Sequence, residues 1–360
     1  MTARRFRVID AGLQEGRINI ALDQAMLELH QAGAIPDSVR FIHFRPTALV
    51  GRHQELSQEV DLEYCRRHGI GVGRRITGGG AIYLDEGQLG WELVFNRRTL
   101  DGAPLPEVAR RICEAAALGL SQLGIDARFR PRNDIEVEGR KLSGTGGFFD
   151  GDSLIYQGTV LVDLDPAAML GALRIPQAKL AKRGLDSAAA RVVTLRELLA
   201  AATPAIPAVE AALLAGFERG LGLEFELAAL SDAEWELARR IHAESIGREA
   251  FVAEIDAPPA GRGVRVGTHA APGGTIKAYL RCEGTPARRI GHALITGDFF
   301  VAPPRLIYDL EAHLRGIAIE DAATAVEAFF AARPAGAATV GAAEFRRAVE
   351  AALASPPSGD

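Results

Sequence analysis

The sequence predicts an α+β protein built as two domains, and three observations point there. Short strand-like apolar runs and amphipathic helical runs are mixed without regular alternation, which disfavours a doubly wound parallel sheet. A Pro/Gly-rich stretch at residues 257–263 interrupts the chain. The 360 residues are 48% hydrophobic, enough apolar material for two cores at roughly 100–200 residues per domain.

In order, residues 19–31 carry Ile20, Ala21, Met26 and Leu27 at helical spacing, with Asn19 placed to cap the helix. Residues 39–44 and 48–50 read as strands, 59–68 as a short polar helix, and 69–76 as a lead into the turn at Gly78, Gly79 and Gly80. Residues 81–84 and 89–95 read as strands joined by the turn Asp85-Glu86-Gly87. Residues 105–123 form a long amphipathic helix, with Pro106 in its first turn and Gly124 past its end. Strands follow at 135–137, 141–143 and 154–164, then helices at 166–173, 195–201 and 208–220. Beyond residue 263 the pattern gives strands at 264–266, 274–283 and 288–300, then helices at 306–314, 319–333 and 343–354. The tail, residues 355–360, is expected to be disordered.

The net charge of −5 gives no electrostatic reason to expect nucleic acid. No apolar run approaches the ~18–20 residues that span a bilayer, and the first residues lack the apolar stretch of a signal peptide. A cytoplasmic monomer with no membrane partner is the expectation. The three cysteines, Cys65, Cys113 and Cys282, are far apart, which argues against disulfides and a CxxC zinc site. The eight histidines form no HxH, HxxxH or HExxH pattern, so a protein-ligated metal is not expected. Only four of the 41 basic residues are lysines: Lys141, Lys179, Lys182 and Lys277. Where arginine is the default surface cation, a retained lysine is a candidate for chemistry, because its ammonium is a compact point charge.

Four segments carry that chemistry. In the first, Arg74 and Arg75 precede Gly78, Gly79, Gly80, Ala81, Ile82 and Tyr83. Three glycines let backbone N–H groups approach a ligand, and two arginines can fork onto phosphate or carboxylate oxygens. A tight turn with solvated arginines is the alternative. The second runs from Asn133 and Asp134 to Lys141, Ser143 and Gly144. Lys141 opens a strand and is placed to stabilise charge as a carboxylate attacks an α-phosphate; an exposed edge-strand lysine is the alternative. The third, Gln157-Gly158-Thr159, puts a glycine inside a strand, which suggests backbone pressed against a ligand. The fourth, from Lys179 through Lys182 to Gly184, is a basic loop able to close over a triphosphate or to remain solvated.

Together and in this order, these segments resemble the lipoate–protein ligase family, which shares a superfamily with biotin ligases and octanoyltransferases. Arg74 to Tyr83 is similar to its RR-x-[ST]-GGGA-[VI]-[FY] loop, Asn133-Asp134 with Lys141 and Gly144 to its ND…K-x-S-G segment, and Gly158-Thr159 to its HGT strand. Lys179 to Gly184 is similar to its KLAxKG stretch; Asn19-Ile20-Ala21, Glu28 and Val50-Gly51-Arg52 match its early motifs. The likeness covers residues 19–220. Residues 274–300 and 307–316 resemble the small accessory domain of these ligases, fused here to the same chain. The implied organisation is a catalytic domain at residues 1–256, a mixed β-sheet with flanking helices, a linker at 257–263, and a small α+β domain at 264–354.

The resemblance implies two steps. Lipoate, or octanoate, attacks ATP to give acyl-AMP and pyrophosphate; the lysine of a lipoyl-domain or lipoate-carrier protein then attacks the mixed anhydride. It implies Lys141 as the catalytic residue, contacting acyl carbonyl and phosphate. It implies nucleotide or acyl-AMP contacts at Arg75, Gly78, Gly79, Gly80, Ala81, Ile82, Tyr83, Asn133, Asp134, Gly144, Gly158, Thr159 and Lys182. Mg²⁺ would arrive with ATP, carried mostly by phosphate oxygens, with Asp134 beside it. An apolar acyl tunnel would be lined partly by the helix at residues 20–29.

The sequence departs from the family pattern at Leu84 and Gln157, where histidines are usual, and at Thr145-Gly146 after the lysine. Three alternatives remain at this stage. A thioester-forming octanoyl- or lipoyltransferase needs an activated cysteine, and no cysteine lies in sequence near the Gly loop, Asn133 or Lys141. A biotin ligase needs a GRGRxG loop, which is absent. A lipoate-binding or regulatory protein without ligation would keep the fold and lose the chemistry.

Overall fold

The computed structural model describes residues 4–131, 133–174, 191–259, 261–284, 286, 288–333 and 337–358. By its internal contacts the chain forms two units. The first holds Met1–Leu49, Asp61–Gly73 and Ile82–Phe251; the second holds Val50–Val60, Arg74–Ala81 and Val252–Asp360.

The strands through residue 228 are β1 (Arg4–Gln14), β2 (Ser38–Phe44), β3 (Thr47–Val50), β4 (Gly71–Arg74), β5 (Ile82–Leu84), β6 (Gln88–Asn96), β7 (Arg128–Arg130), β8 (Asp134–Val137), β9 (Arg140–Asp150), β10 (Ser153–Leu161) and β11 (Leu223–Ala228). Eight of them make one mixed sheet in the order β11-β1-β2-β6-β10-β9-β8-β7. β1 runs parallel to β11 and β2, and the pairs from β2 to β7 are antiparallel. β3, β4 and β5 form a separate small sheet. The turn at residues 85–87 therefore passes the chain from one sheet to another rather than closing a hairpin. β1, β7 and β11 fall where the sequence reading left no element. β1 alternates weakly, with charged Arg5, Arg7 and Asp10 among Phe6, Val8 and Ile9, so its period-2 signal is faint.

Helix α1 (Gly16–Gln31) packs on β2, β6 and β10. It begins three residues before Asn19, which is buried inside it and donates from Nδ2 to the His43 carbonyl at 2.9 Å. Asn19 is thus not the cap: a tertiary partner holds it and the helix starts earlier. On the other face lie α2 (Leu105–Ser121) and α3 (Ile206–Leu221). Small residues let their backbones touch; a methyl group added at Gly119 would sit 2.2 Å from the Ala212 carbonyl oxygen. Trp91, Tyr156, Phe217, Leu120 and Leu213 fill the core between these helices and the sheet. Helix α4 (Asp232–Ile241) starts with a complete capping box of Ser231 and Glu234. The buried Glu234 also takes two hydrogen bonds from Arg7, at 2.8 and 3.2 Å.

In the second unit, β12 (Val264–Ala271), β13 (Gly274–Glu283) and β14 (Arg289–Gly297) form an antiparallel sheet. Helices α5 (Arg305–Leu314), α6 (Ala322–Ala332) and α7 (Ala342–Ala354) supply its core with Leu310, Val326, Phe329 and Phe345. The unit begins at Val252, ahead of the 257–263 boundary read from composition, and it recruits two earlier segments. One reason is Arg74: its buried guanidinium donates to the carbonyls of Gly51, Arg52, Gln54, Val252 and Ile255 at 2.8–3.2 Å. Glu55, also buried, accepts from Tyr279 Oη at 2.5 Å, Thr296 Oγ1 at 2.9 Å and Lys277 Nζ at 3.3 Å. The tail expected to be disordered is held through Ser358, which exchanges backbone hydrogen bonds with Gly263 (2.9 Å) and Val264 (2.8 Å). Among the described residues, no single helix is long and apolar enough to cross a membrane.

Candidate active site

Lys141 is pinned on both sides by backbone. Its N–H donates to the Arg191 carbonyl at 2.8 Å, and its carbonyl accepts from Val193 at 2.9 Å. On its other side it pairs with Glu136 across a β8–β9 irregularity that falls after Ile135. The side chain crosses Gly144; a methyl group there would lie 2.5 Å from Nζ. The ammonium meets Asp134 Oδ1 at 2.8 Å. Lys141 is 38% exposed and Asp134 18%, so the pair is half-desolvated yet reachable.

Asn133 is clamped to β9 by Thr145. Asn133 Nδ2 donates to the Thr145 carbonyl at 2.7 Å, while the Thr145 N–H (2.8 Å) and hydroxyl (2.9 Å) both reach the Asn133 carbonyl. The Thr145 hydroxyl also lies 2.7 Å from Tyr156 Oη and 3.2 Å from Cys113 Sγ. Cys113 is therefore near Asn133 in space although distant in sequence. It lies among the buried side chains packed by α2, on the face opposite Gly144. Burial raises its thiol pKa, pushes that of Cys65 up to about 11, and raises that of Cys282. Burial thus disfavours the thiolate at each of the three cysteines.

Alternation separates the two faces of β9 and β10. Ser143, Thr145, Gly147, Tyr156 and Gly158 are buried; Gly144, Gly146, Gln157 and Thr159 are half-buried. The half-buried set forms a strip beside Lys141, and a methyl group at Gly146 would meet nothing within 4 Å. Gly158, expected to press against a ligand, instead faces the core. A methyl group there would lie 2.2 Å from the Trp91 ring, so packing, not ligand approach, requires the glycine. Gly158→Ala is expected to destabilise the protein by about 1–3 kcal/mol through overpacking; a thermal melt indistinguishable from wild type would contradict that geometry.

Under α1 the sheet carries a charged row that the sequence reading missed. Arg40 on β2, Glu92 on β6 and Gln157 on β10 are cross-strand neighbours. Arg40 Nε donates to Glu92 Oε1 at 2.5 Å, Arg40 Nη2 bonds Asp23 of α1, and Gln157 Nε2 donates to Glu92 Oε2 at 3.0 Å. Arg40, Glu92 and Asp23 are all buried. Burial, reinforced by Glu92 and opposed by Arg40, pushes the Asp23 carboxyl up to about 7. The helix expected to line an apolar tunnel thus covers a buried charged row. The available signal was a single charge inside each of two apolar strands, VRFIHF and LGWELVF.

The Gly loop belongs to the second unit up to Ala81. Arg74, expected to fork onto an anion, is consumed by the carbonyl contacts given above. Arg75 Nη2 donates to the carbonyls of Gly78 (3.0 Å) and Gly80 (2.8 Å), bracing the loop on itself. Gly79 adopts φ +96°, and its N–H donates to the Phe299 carbonyl at 3.1 Å. Gly78 packs so closely that a methyl group would lie 2.4 Å from that oxygen. Ile82 and Tyr83 lie on β5, with Tyr83 buried. Lys182 lies outside the described residues.

In this structure Lys141 holds Asp134 Oδ1 at 2.8 Å and Arg130 holds Oδ2 at 2.5 Å. Asp10, His43 and Glu210 are the one cluster of potential metal ligands among the described residues. His43 Nε2 lies 3.3 Å from Asp10 and 3.1 Å from Glu210. The neighbouring Glu210 and Asp10 carboxylates raise the His43 pKa. The cavity of about 400 Å³ lined by Arg305, Asp309, His313, Phe329 and Arg333 in the second unit gathers none of the residues above.

The mixed sheet thus sets a lysine–aspartate pair beside a strip floored by glycines. The chain belongs to the lipoyl protein ligase A/B catalytic domain family, whose model matches residues 15–218. It is 30% identical over 269 residues to the octanoyltransferase LipM of Kyrpidia tusciae, covering 68% of this chain and 97% of that protein. It is similar to a crystal structure of lipoate-protein ligase A bound with ATP, at 25% identity and a TM-score of 0.61, over 71% of this chain and all of that one. P. falciparum LipL1 in complex with lipoate shares the fold at a TM-score of 0.69 and 17% identity, over 92% of this chain and 95% of that one.

Proposed function

We propose that this protein is an ATP-dependent lipoate–protein ligase, which converts lipoate or octanoate to acyl-AMP and passes the acyl group to a lysine of a lipoyl-domain or lipoate-carrier protein. The observation that carries this reading is the Lys141–Asp134 pair above Gly144. Lys141 is placed to stabilise negative charge as the carboxylate attacks the α-phosphate and pyrophosphate leaves. Asp134 orients the ammonium while the nucleotide is absent and yields it to the phosphate when ATP arrives. Magnesium would come on the triphosphate. Asn133, clamped by Thr145, fixes the start of β8. In the second step the acceptor amine attacks the acyl carbonyl, and AMP leaves.

The test is ATP–pyrophosphate exchange with lipoate, octanoate and biotin supplied separately and no acceptor present. Exchange that requires lipoate or octanoate is expected, with none for biotin. A second reading, octanoyl transfer, is favoured by the name of the K. tusciae relative. No exchange, together with ATP-independent transfer from an octanoyl thioester donor, would move the chain to that reading. Replacing Cys65, Cys113 and Cys282 separately with alanine is expected to leave exchange within about 3-fold of wild type, because no thiol is asked to act as nucleophile; loss of acyl transfer in one folded variant would overturn this.

A further inference from the structure

We propose that Gln157 is a selectivity residue that offers the acyl chain only a hydrogen-bond acceptor, so that the site prefers an acid carrying a donor near its sixth carbon, such as the dithiol form of lipoate. This rests on the reading of Lys141 as the carboxylate-activating residue.

A glutamine amide has two N–H donors and one carbonyl acceptor. Gln157 Nε2 donates to Glu92 Oε2 at 3.0 Å. Glu92 is buried and is locked from the other side by Arg40 at 2.5 Å. A carboxylate can only accept, so Glu92 fixes which end of the amide is nitrogen. The carbonyl oxygen is left without a hydrogen bond among the described residues and is not sealed from solvent. Gln157 is half-buried in the strip that contains Gly144, Gly146 and Thr159, and its cross-strand neighbour is Gly146, whose missing side chain leaves open space.

The spacing sets which part of the acid meets this oxygen. Lys141 Nζ lies over Gly144, and Gly146 is one two-residue step along β9, about 6.8 Å away. An extended alkyl chain advances about 1.25 Å per carbon, given C–C bonds near 1.52 Å. For a chain laid extended along β9, a carboxylate held at Lys141 brings about the sixth carbon level with Gln157. An octanoyl chain covers the oxygen without a partner, as does the disulfide ring of lipoate. The dithiol form carries an S–H on that carbon, which donates to the amide oxygen. A site whose polar group is left unpaired by the wrong ligand discriminates through that loss.

The experiment compares kcat/KM for pyrophosphate exchange with dihydrolipoate, lipoate, octanoate and 6-hydroxyoctanoate, run anaerobically without added thiol, in wild type and in Gln157→Met. Wild type is expected to favour dihydrolipoate over lipoate, and 6-hydroxyoctanoate over octanoate, by about 3- to 10-fold. Both ratios should fall to within about 2-fold in Gln157→Met; should that variant not fold, Gln157→Leu serves. Equal kcat/KM for the four acids in wild type, or preferences that survive the substitution, would overturn the proposal. If wild type exchanges with none of them, the adenylating reading fails instead. Calorimetric binding of the same acids without ATP then decides the matter: the donor preference, lost in Gln157→Met, sustains the role of Gln157, and its absence removes it.

Discussion

Lys141→Ala is expected to lower acid-dependent pyrophosphate exchange by about 10²- to 10³-fold, the usual effect of removing one preorganised group from a charge-developing transition state. The fold should be unaffected, because the backbone of Lys141, not its side chain, holds β9 to the segment at 191–193. Lys141→Arg should recover little. The ammonium fits over Gly144 with Nζ 2.5 Å from a would-be methyl position, a space that a planar guanidinium does not share. Asp134→Asn is expected to be milder, since it removes the partner that orients the ammonium and leaves the cation. Exchange in Lys141→Ala within a few-fold of wild type would remove this lysine from the mechanism.

Arg40→Leu should be among the most destabilising single substitutions in the chain, by about 3–5 kcal/mol, because it strands Glu92 and Asp23 in a dry interior without their cation. The control is the triple substitution of Arg40, Glu92 and Asp23 by apolar residues. Removing all the charges together should restore most of the stability lost in the single variant, whereas a melt no better than that variant would mean the cluster contributes by shape rather than charge. The pH dependence has a defined sign. The folded Asp23 carboxyl is pushed up to about 7 from an ordinary value of 3.8, so the folded state holds a proton that the unfolded chain has released. Its contribution is most favourable below pH ~4 and declines as pH rises through ~7. Asp23→Asn should flatten the melting temperature between pH 5 and 8 and raise it at pH 8. An unchanged slope would show that Asp23 is not the titrating group.

Lys141, the lysine proposed to be catalytic, stands out for a compositional reason in a chain that uses arginine almost throughout, and the Asn133–Lys141 spacing places it across a turn from Asp134. The helices 105–121 and 206–221 were legible because their apolar faces repeat at 3.6 residues. The glycines were visible, but their reasons were not. Gly158 faces Trp91, Gly78 faces the Phe299 carbonyl, and Gly119 faces α3, and each neighbour arrives from a distant part of the chain.

Local pattern alone determined that this protein is α+β, that its helices and most of its strands lie where they do, and which short segments concentrate lysine, glycine and acid. Those properties follow from side-chain periodicity and backbone freedom, which act over a few residues. Tertiary structure decided the rest. It chose which of two adjacent arginines would be buried as a carbonyl clamp. It moved the Gly loop and Glu55 into the unit built by residues after 252, and it set Cys113 behind Thr145 on the wrong face to react. It also assembled Asp23, Arg40, Glu92 and Gln157 from one helix and three strands. Burial and cross-strand neighbours are properties of the folded chain, and no window of sequence contains them.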